Sequence, residues 1–258
     1  MFFTFAAVEA KGCRPFIKEV NVPGDYTLKK AVDKVESYNS MDKFFIGNDK
    51  FTTIVLGKGV HVVEVYKTMN EFESVYDDNT LKIASAMRIV GDPKVAREEI
   101  VIVGGIEFKE GIQGNCHLQH LTIRQATNNG VYGFSSFTME DVLVEQCDDS
   151  GVVASGTDVV GRCTNVEVKE CRRNGVAVYR GATITLIGPN TDVHHNNAKK
   201  SAEPGLKALT GTIQLISPLT RDTVSHDHGR GLDYKTRSYS GGYIREIKTE
   251  PPPPYKKR

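Results

Sequence analysis

Tryptophan is absent from this 258-residue chain. That removes the side chain best suited to stacking on sugars and to holding cations on a ring face. No apolar run approaches the roughly 18–20 residues that a membrane-spanning helix needs. The net charge is only +1, so no field over the whole molecule draws it to nucleic acid or to an anionic membrane. Cysteine is scarce and oddly counted: Cys13, Cys116, Cys147, Cys163 and Cys171 include no CxxC pair. This excludes a disulfide framework and the usual zinc and thiol-redox signatures. No asparagine begins an N-x-S/T sequon. The opening residues Met1 to Ala10 lack the basic stretch of a secretory leader. These absences predict an intracellular setting with free thiols.

Glycine is what the chain has in quantity, at 24 residues, and three segments explain why. They are Leu121-Thr-Ile123-Arg-Gln-Ala126-Thr-Asn-Asn-Gly130-Val131, Val142-Leu-Val144-Glu-Gln-Cys147-Asp-Asp-Ser-Gly151-Val152 and Val166-Glu-Val168-Lys-Glu-Cys171-Arg-Arg-Asn-Gly175-Val176. Each has apolar residues at places one and three, a small residue at six, Gly at ten and Val at eleven. A degraded fourth copy starts at Thr191-Asp-Val193-His-His-Asn196. The starts, at 121, 142, 166 and 191, lie 21, 24 and 25 residues apart.

A repeat in the low twenties means a solenoid. Alternation with period two makes the units strands, and β-branched residues separated by Asn, Asp, Ser and Gly turns agree. No helical stretch separates the strands, so a leucine-rich horseshoe fits poorly. The expected fold is all-β, a right-handed parallel β-helix of about seven coils. Its inward columns are Leu121, Val142 and Val166; then Ile123, Val144, Val168 and Val193; then Ala126, Cys147, Cys171 and Asn196. The two stacked cysteines read as a ladder of small buried residues.

The domain reading follows. Residues 1–50 hold an N-terminal segment and a capping helix over Asp25–Ser37, whose apolar face is Leu28, Ala31, Val32 and Val35. Asp25 or Thr27 is its expected N-cap. Residues 51–217 are the β-helix, opening with Phe51–Val63 and interrupted by a polar insertion over 66–80. Residues 218–258 are a C-terminal cap and an extended tail, with Tyr243, Ile244 and Ile247 docked on the open end. The glycines at 130, 151 and 175 are expected to share one backbone conformation, and Gly151→Val is expected to cost more than about 1 kcal/mol if φ is positive there.

The helix at 25–37, then Thr53-Ile-Val-Leu-Gly-Lys-Gly-Val60, then Met87-Arg-Ile-Val-Gly-Asp92, resembles the start of pectin-lyase-like β-helix proteins. The repeated Gly-Val after a polar turn resembles their carbohydrate-binding and sugar-hydrolysis repeats. The resemblance spans about residues 17–217. It implies the fold; the wider group includes polysaccharide lyases and hydrolases, and also non-catalytic β-helix proteins of algae, large DNA viruses and ubiquitin-ligase subunits.

Chemistry must sit on the outward rows. Place four reads Arg124, Glu145, Lys169, His194, with attraction between neighbours. Place two reads Thr122, Leu143, Glu167, Asp192, which sets two carboxylates about one strand spacing apart. Such a pair can act as acid and base or hold calcium. Glu167, Asp192, Lys169 and His194 are therefore the candidate catalytic set, and a solvated charge ladder is the plain reading of the same residues. Asp148-Asp149 and Asn190-Thr-Asp192 echo polygalacturonase-type motifs in reversed order, without the Arg-Ile-Lys element. His226-Asp-His228-Gly-Arg230 only loosely suggests a Gly-His-Gly motif, and the Asp148-Asp149 place looks freely varying. His117-Leu-Gln-His120 lacks a third metal ligand, so no metal site is read. No Walker or dinucleotide glycine motif and no GxSxG elbow occurs, which leaves no support for a nucleotide or other cofactor.

The last 52 residues differ. They carry ten Lys and Arg against five Asp and Glu. The chain ends in Pro251-Pro-Pro-Pro-Tyr255-Lys-Lys-Arg258, a polyproline II stretch with a basic end. Pro252, Pro253, Pro254 and Tyr255 fit the PPxY pattern that WW domains bind. Nucleic acid is not favoured by so short and mixed a segment. The expected function is a non-catalytic scaffold or assembly component, of the kind a virion uses, with protein partners on its flat faces and tail. A polysaccharide lyase or hydrolase, and a glycan- or peptide-binding module, are the alternatives.

Overall fold

Alternating valine and isoleucine with polar residues puts one side of each short strand in a core, and the turn residues between them redirect the chain. The computed structural model describes residues 19–22, 27–41, 53–69, 75–197, 203–226, 234–236 and 241–248. Among these, strands stack in parallel on three faces. The first face comprises Glu19–Val22, Thr53–Leu56, Arg88–Gly91, the leading halves of Cys116–Arg124 and Phe137–Glu145, then Val160–Thr164, Thr183–Ile187, Thr212–Ile216 and Tyr243–Ile247. The second holds Gly59–Val62, Ile100–Val103, the trailing halves of the same two long strands, then Glu167–Lys169, Asp192–His194 and Ser225–His226. The third holds Thr80–Ile83, Gly105–Phe108, Val131–Gly133, Val152–Ser155, Val176–Tyr179, Leu206–Leu209 and Tyr234–Thr236. From Thr53 onward the chain visits the faces in this order on each coil, which is a parallel β-helix. Connections between parallel neighbours take the right-handed sense almost without exception.

The repeat alignment gives the register. Ile123 pairs with Val144, Val144 with Val168, and Val168 with Val193. All four are essentially inaccessible and belong to one apolar cluster running the length of the stack. Cys147 and Cys171 are buried free thiols, as are Cys116 and Cys163. Asn196 closes the third column: its side chain accepts from the Cys171 amide at 3.0 Å and donates to the Val168 carbonyl at 2.9 Å. Cys13 lies outside the described residues.

Two corners bend the stack by columns of left-handed residues. Between the first and second faces sit His120, Asp141 and Asn165, with φ of 53°, 51° and 52°. After the second face sit Gln125, Gln146, Glu170 and His195, with φ of 50–56°.

The condition of a positive φ is not met in the glycine column. None of Gly130, Gly151 and Gly175 has a positive φ. Gly130 and Gly151 share a hydrogen-bond pattern, Gly130 N–H donating to Ser150 O and Gly151 N–H to Asn174 O. A Cβ on Gly151 would stand 2.2 Å from Val168 Cγ1 and 2.8 Å from Gly175 O, and Gly175 meets Val193 Cγ1 at the same 2.2 Å. Close approach of one coil to the next excludes a side chain here.

Several boundaries move. The helix is Leu28–Met41, and Thr27 Oγ1 accepts from the Lys30 amide at 3.3 Å; Asp25 lies outside the described residues. Leu28, Ala31, Val32 and Val35 are buried in the common core, as its amphipathic spacing requires. Rungs extend beyond 51–217 on both sides, at Glu19–Val22 and at Tyr243–Ile247. The latter strand therefore adds a rung of the first face and does not lie across the open end, because Tyr243, Ile244 and Ile247 pair in register with Thr212, Ile213 and Ile216. The 66–80 insertion contains an antiparallel hairpin, Tyr66–Met69 with Val75–Asp78.

Candidate functional site

The four residues singled out from the sequence do come together on the second face. Glu167 lies opposite Asp192, and Lys169 opposite His194. Glu167 already has partners, whereas Asp192 Oδ1 is buried without a hydrogen bond although an imidazole stands near it. Glu167 Oε1 accepts from Lys169 Nζ at 2.9 Å and lies 3.3 Å from His194 Nε2, while Oε2 accepts from Arg97 Nη2 at 2.7 Å. Asp192 Oδ1 is 3.0 Å from His226 Nε2, and its Oδ2 is 3.9 Å from His194 Nε2. The His194 and His226 rings stack at 5.6 Å and 9°. His226 enters because Ser225–His226 adds the next rung. His228 lies outside the described residues.

These contacts set the proton affinities. Burial pushes the Glu167 carboxyl up, but Lys169, His194 and Arg97 outweigh it and hold the group below the usual carboxylate range. Burial pulls Lys169 down, and Glu167 and Glu145 more than reverse that. A general acid needs a raised carboxyl and a lysine base a lowered ammonium. Both shifts here run the other way.

Arg97 was not visible as a site residue. It sits in a one-turn 3-10 helix, Arg97–Glu99, that packs over the second face against the two long strands. Thr122 Oγ1 donates to its carbonyl at 3.0 Å. The outward residues Thr122 and Leu143 are consequently buried although they face away from the core. The Arg97 guanidinium also contacts Asp141 at 3.3 Å and Glu98 at 2.8 Å.

Beside this turn lies a shallow, open depression of about 400 Å³ at the first corner, lined by Arg97, Glu98, His120, Asp141, Asn165 and Asn190. Its histidine looks catalytic at first sight, because Asp141 Oδ2 is 2.5 Å from His120 Nδ1. The other nitrogen, Nε2, is 2.7 Å from the Val95 carbonyl. Both neighbours are oxygen acceptors, so both nitrogens donate and neither is left to take a proton. Burial pulls His120 down, yet the Val95 carbonyl and Asp141 hold it above its ordinary value.

The other sequence candidates separate. His117 Nδ1 is 2.6 Å from Thr138 Oγ1 and its Nε2 3.2 Å from Gln119, so it shares no centre with His120. Asp148 and Asp149 are matched on the next coil by Arg172 and Arg173, at 3.4 and 3.5 Å. The turn residues that looked freely varying thus complement one another. Among the described residues no three His, Cys, Asp or Glu side chains are grouped to hold a metal ion, and no helix is long and apolar enough to cross a membrane. Pro252, Pro253, Pro254 and Tyr255 lie outside the described residues.

A second depression, of about 410 Å³, opens on the third face and is lined by Tyr132, Ser155, Tyr179, Arg180, Leu209 and Thr210. Tyr132, Val153, Ala177 and Lys207 form one outward row, and Ser155, Tyr179 and Leu209 the next. Tyr132 stacks on Phe134 at 4.2 Å and 27°. Ser155 lines the depression, and Val153 and Ala177, short residues of the Tyr132 row, are buried beside it. Burial, with Glu203 and Asp149 nearby, pushes the Tyr179 hydroxyl up to about 12.

Comparison with protein-family models gives no match, and comparison with curated proteins gives none either. Among solved structures, the A-module of an Azotobacter vinelandii mannuronan C-5 epimerase, AlgE4, aligns over 84% of this chain and 94% of that one, at 10% identity and a TM-score of 0.26. A TM-score that low carries no argument about fold or activity.

Proposed function

We propose that the chain is a non-catalytic β-helix scaffold that assembles with protein partners inside the cell, in a large complex of the kind a virion represents. One observation carries this reading: the best-placed carboxylate of the molecule, Glu167, is held ionised between Arg97 and Lys169. Cross-coil pairs of this kind, including Arg172–Asp148 and Arg173–Asp149, rigidify a stack without offering a reactive group. The proline-rich tail, Pro252 to Tyr255, serves in this reading as a recognition segment for an aromatic-lined groove.

A second reading is an enzyme acting on acidic polysaccharide. The pairing of Asp192 with His226 and His194 favours it, since it places a carboxylate beside two imidazoles on one outward face. Incubation with a panel of polyuronides, with and without calcium, separates the two. The scaffold reading expects every polymer to be returned unchanged.

A further inference from the structure

The second face begins with an open edge. Strand Gly59–Val62 pairs with Ile100–Val103 on one side, and among the described residues nothing pairs with it on the other. Val63 N–H donates to Val103 O at 2.9 Å. The backbone groups of successive residues in a strand alternate between its two edges. His61 and Val63 therefore bond towards Ile100–Val103, while the N–H and C=O groups of Val60 and Val62 point to the vacant side. The same two residues carry exposed apolar side chains. Val60 and Val62 face outward at 57% and 60% exposure, and Val65 follows at 58%. The strand has no Lys, Arg, Asp, Glu or Pro of its own. Proteins commonly blunt an edge strand with one of these, because a bare edge is a template for another chain.

The rest of this layer of the stack is filled. On the first face Glu19–Val22 lies one rung beyond Thr53–Leu56. Helix Leu28–Met41 sets its apolar face on the core and reaches the third face. There Glu36 Oε1 accepts from the Ala84 amide at 2.6 Å, and Asn39 Nδ2 donates to Ser85 Oγ at 3.0 Å. Among the described residues only the second-face place of the layer is open, and it is one strand deep, about 4.8 Å. The helix stands in the way of a whole second β-helix stacked end on. A saccharide has no N–H and C=O groups alternating along one edge. An extended peptide segment has both the thickness and the pattern. Glu64 follows the strand, exposed and in no ion pair among the described residues. It offers an incoming basic side chain a partner.

We infer that the Gly59–Val62 edge is a docking site for one extended segment of a partner protein. The segment adds a strand to the second face, sets apolar side chains at i and i+2 beside Val60 and Val62, and brings a basic residue to Glu64. It rests on the scaffold reading above and gives one partner a place and a chemistry.

The test follows hydrogen exchange of the full-length chain, residue by residue, by NMR. In the free chain the Val60 and Val62 amides should exchange at nearly the rate of an unstructured peptide, and those of His61 and Val63 far more slowly. The probe is the peptide acetyl-Lys-Thr-Val-Thr-Val-Thr-Lys-amide. At saturation it should slow exchange at Val60 and Val62 by about ten-fold or more. The same peptide N-methylated at both valines and the threonine between them keeps its side chains but has no central N–H on either edge. It should bind about ten-fold more weakly or less. A chain carrying Val60→Thr and Val62→Thr keeps the shape of both exposed side chains. It should also bind the probe more weakly, with slow exchange at His61 and Val63 showing that the strand is intact. Slow exchange at Val60 and Val62 in the free chain would mean that the edge is already held, which overturns the inference. Equal binding of the two peptides, unchanged affinity in the variant, or no binding at millimolar probe overturns it as well. Failure here leaves the scaffold reading standing, because that reading is judged by polymer chemistry and not by this edge.

Discussion

Arg97 Nη2 lies 2.7 Å from Glu167 Oε2, joining the turn before strand Ile100–Val103 to a strand three rungs further along the second face. This one contact decides two things at once. It seals the outward residues Thr122 and Leu143, and it neutralises the carboxylate that would otherwise be the natural acid or base of the face. Arg97→Ala should therefore destabilise the fold by about 1–3 kcal/mol, the range for leaving one partner of a partly buried hydrogen bond unsatisfied. Urea unfolding checks the value. Glu167 should then titrate closer to the ordinary carboxylate range, which side-chain NMR reads directly. An unchanged midpoint would remove Arg97 from the account.

The glycine column should tolerate no side chain. Gly151→Ala is expected to cost about 1–3 kcal/mol, as overpacking of a core does. Its cause is the 2.2 Å approach to Val168 Cγ1, so the double variant Gly151→Ala, Val168→Ala should recover part of the loss. Gly181 gives the contrast. It has φ +86° and nothing nearer than 3.7 Å to a new Cβ, so the cost of Ala there is backbone strain and no change at position 157 should relieve it. Denaturant midpoints of the three variants decide between crowding and strain.

The buried thiols should be inert. Burial pushes Cys116 and Cys163 up to about 12, and Cys147 rises too, through its neighbour Cys171 and through burial. Thiolate is the reactive species. Thiol titration of the native protein should leave Cys116, Cys147, Cys163 and Cys171 unlabelled, while the denatured chain gives all five cysteines. Fast labelling of Cys147 or Cys171 in the native state would contradict the ladder.

His120 gives a pH dependence of known sign. Its folded pKa is raised, so the protonated form is favoured by folding. The contribution is complete below the unfolded value of about 6.5 and is lost as pH rises through the folded value. Stability should therefore fall between mildly acidic and mildly alkaline pH, and His120→Gln should flatten that part of the profile. His117 is lowered by burial, and its contribution is instead lost as pH falls. The two histidine variants should tilt the curve in opposite directions.

The core of this structure was legible because period-two alternation and a repeating turn leave little freedom. Once Ile123, Val144 and Val168 are aligned, every outward row follows, including the Glu167–Asp192 and Lys169–His194 pairs. The helix face was legible for the same reason, since Leu28, Ala31, Val32 and Val35 obey one spacing. What the repeat does not encode was missed. Arg97 lies in a non-repeating turn, and its partner Glu167 is 70 residues away with no pattern linking them. His226 falls where the apolar alternation has faded, so nothing in its neighbours places it in the His194 row beside Asp192. The glycines were legible as a column but the reason for them was not, because sequence shows that a side chain is missing and not what would collide with it. The aromatic trough of the third face depends on short residues under tall ones, Val153 and Ala177 beside Tyr132, and a one-dimensional pattern does not show relative height.

The most direct measurement of the central claim is polymer chemistry on the intact protein. Polymannuronate, polyguluronate and pectate are incubated with the chain, with and without calcium. Unsaturated ends are followed by absorbance, reducing ends by titration and epimerisation by NMR. With Glu167 held between Arg97 and Lys169, no new ends and no change of stereochemistry should appear. Cleavage or epimerisation of any of these polymers, abolished by Asp192→Asn or Glu167→Gln in a variant that still folds, would contradict the account and establish the second face as an active site.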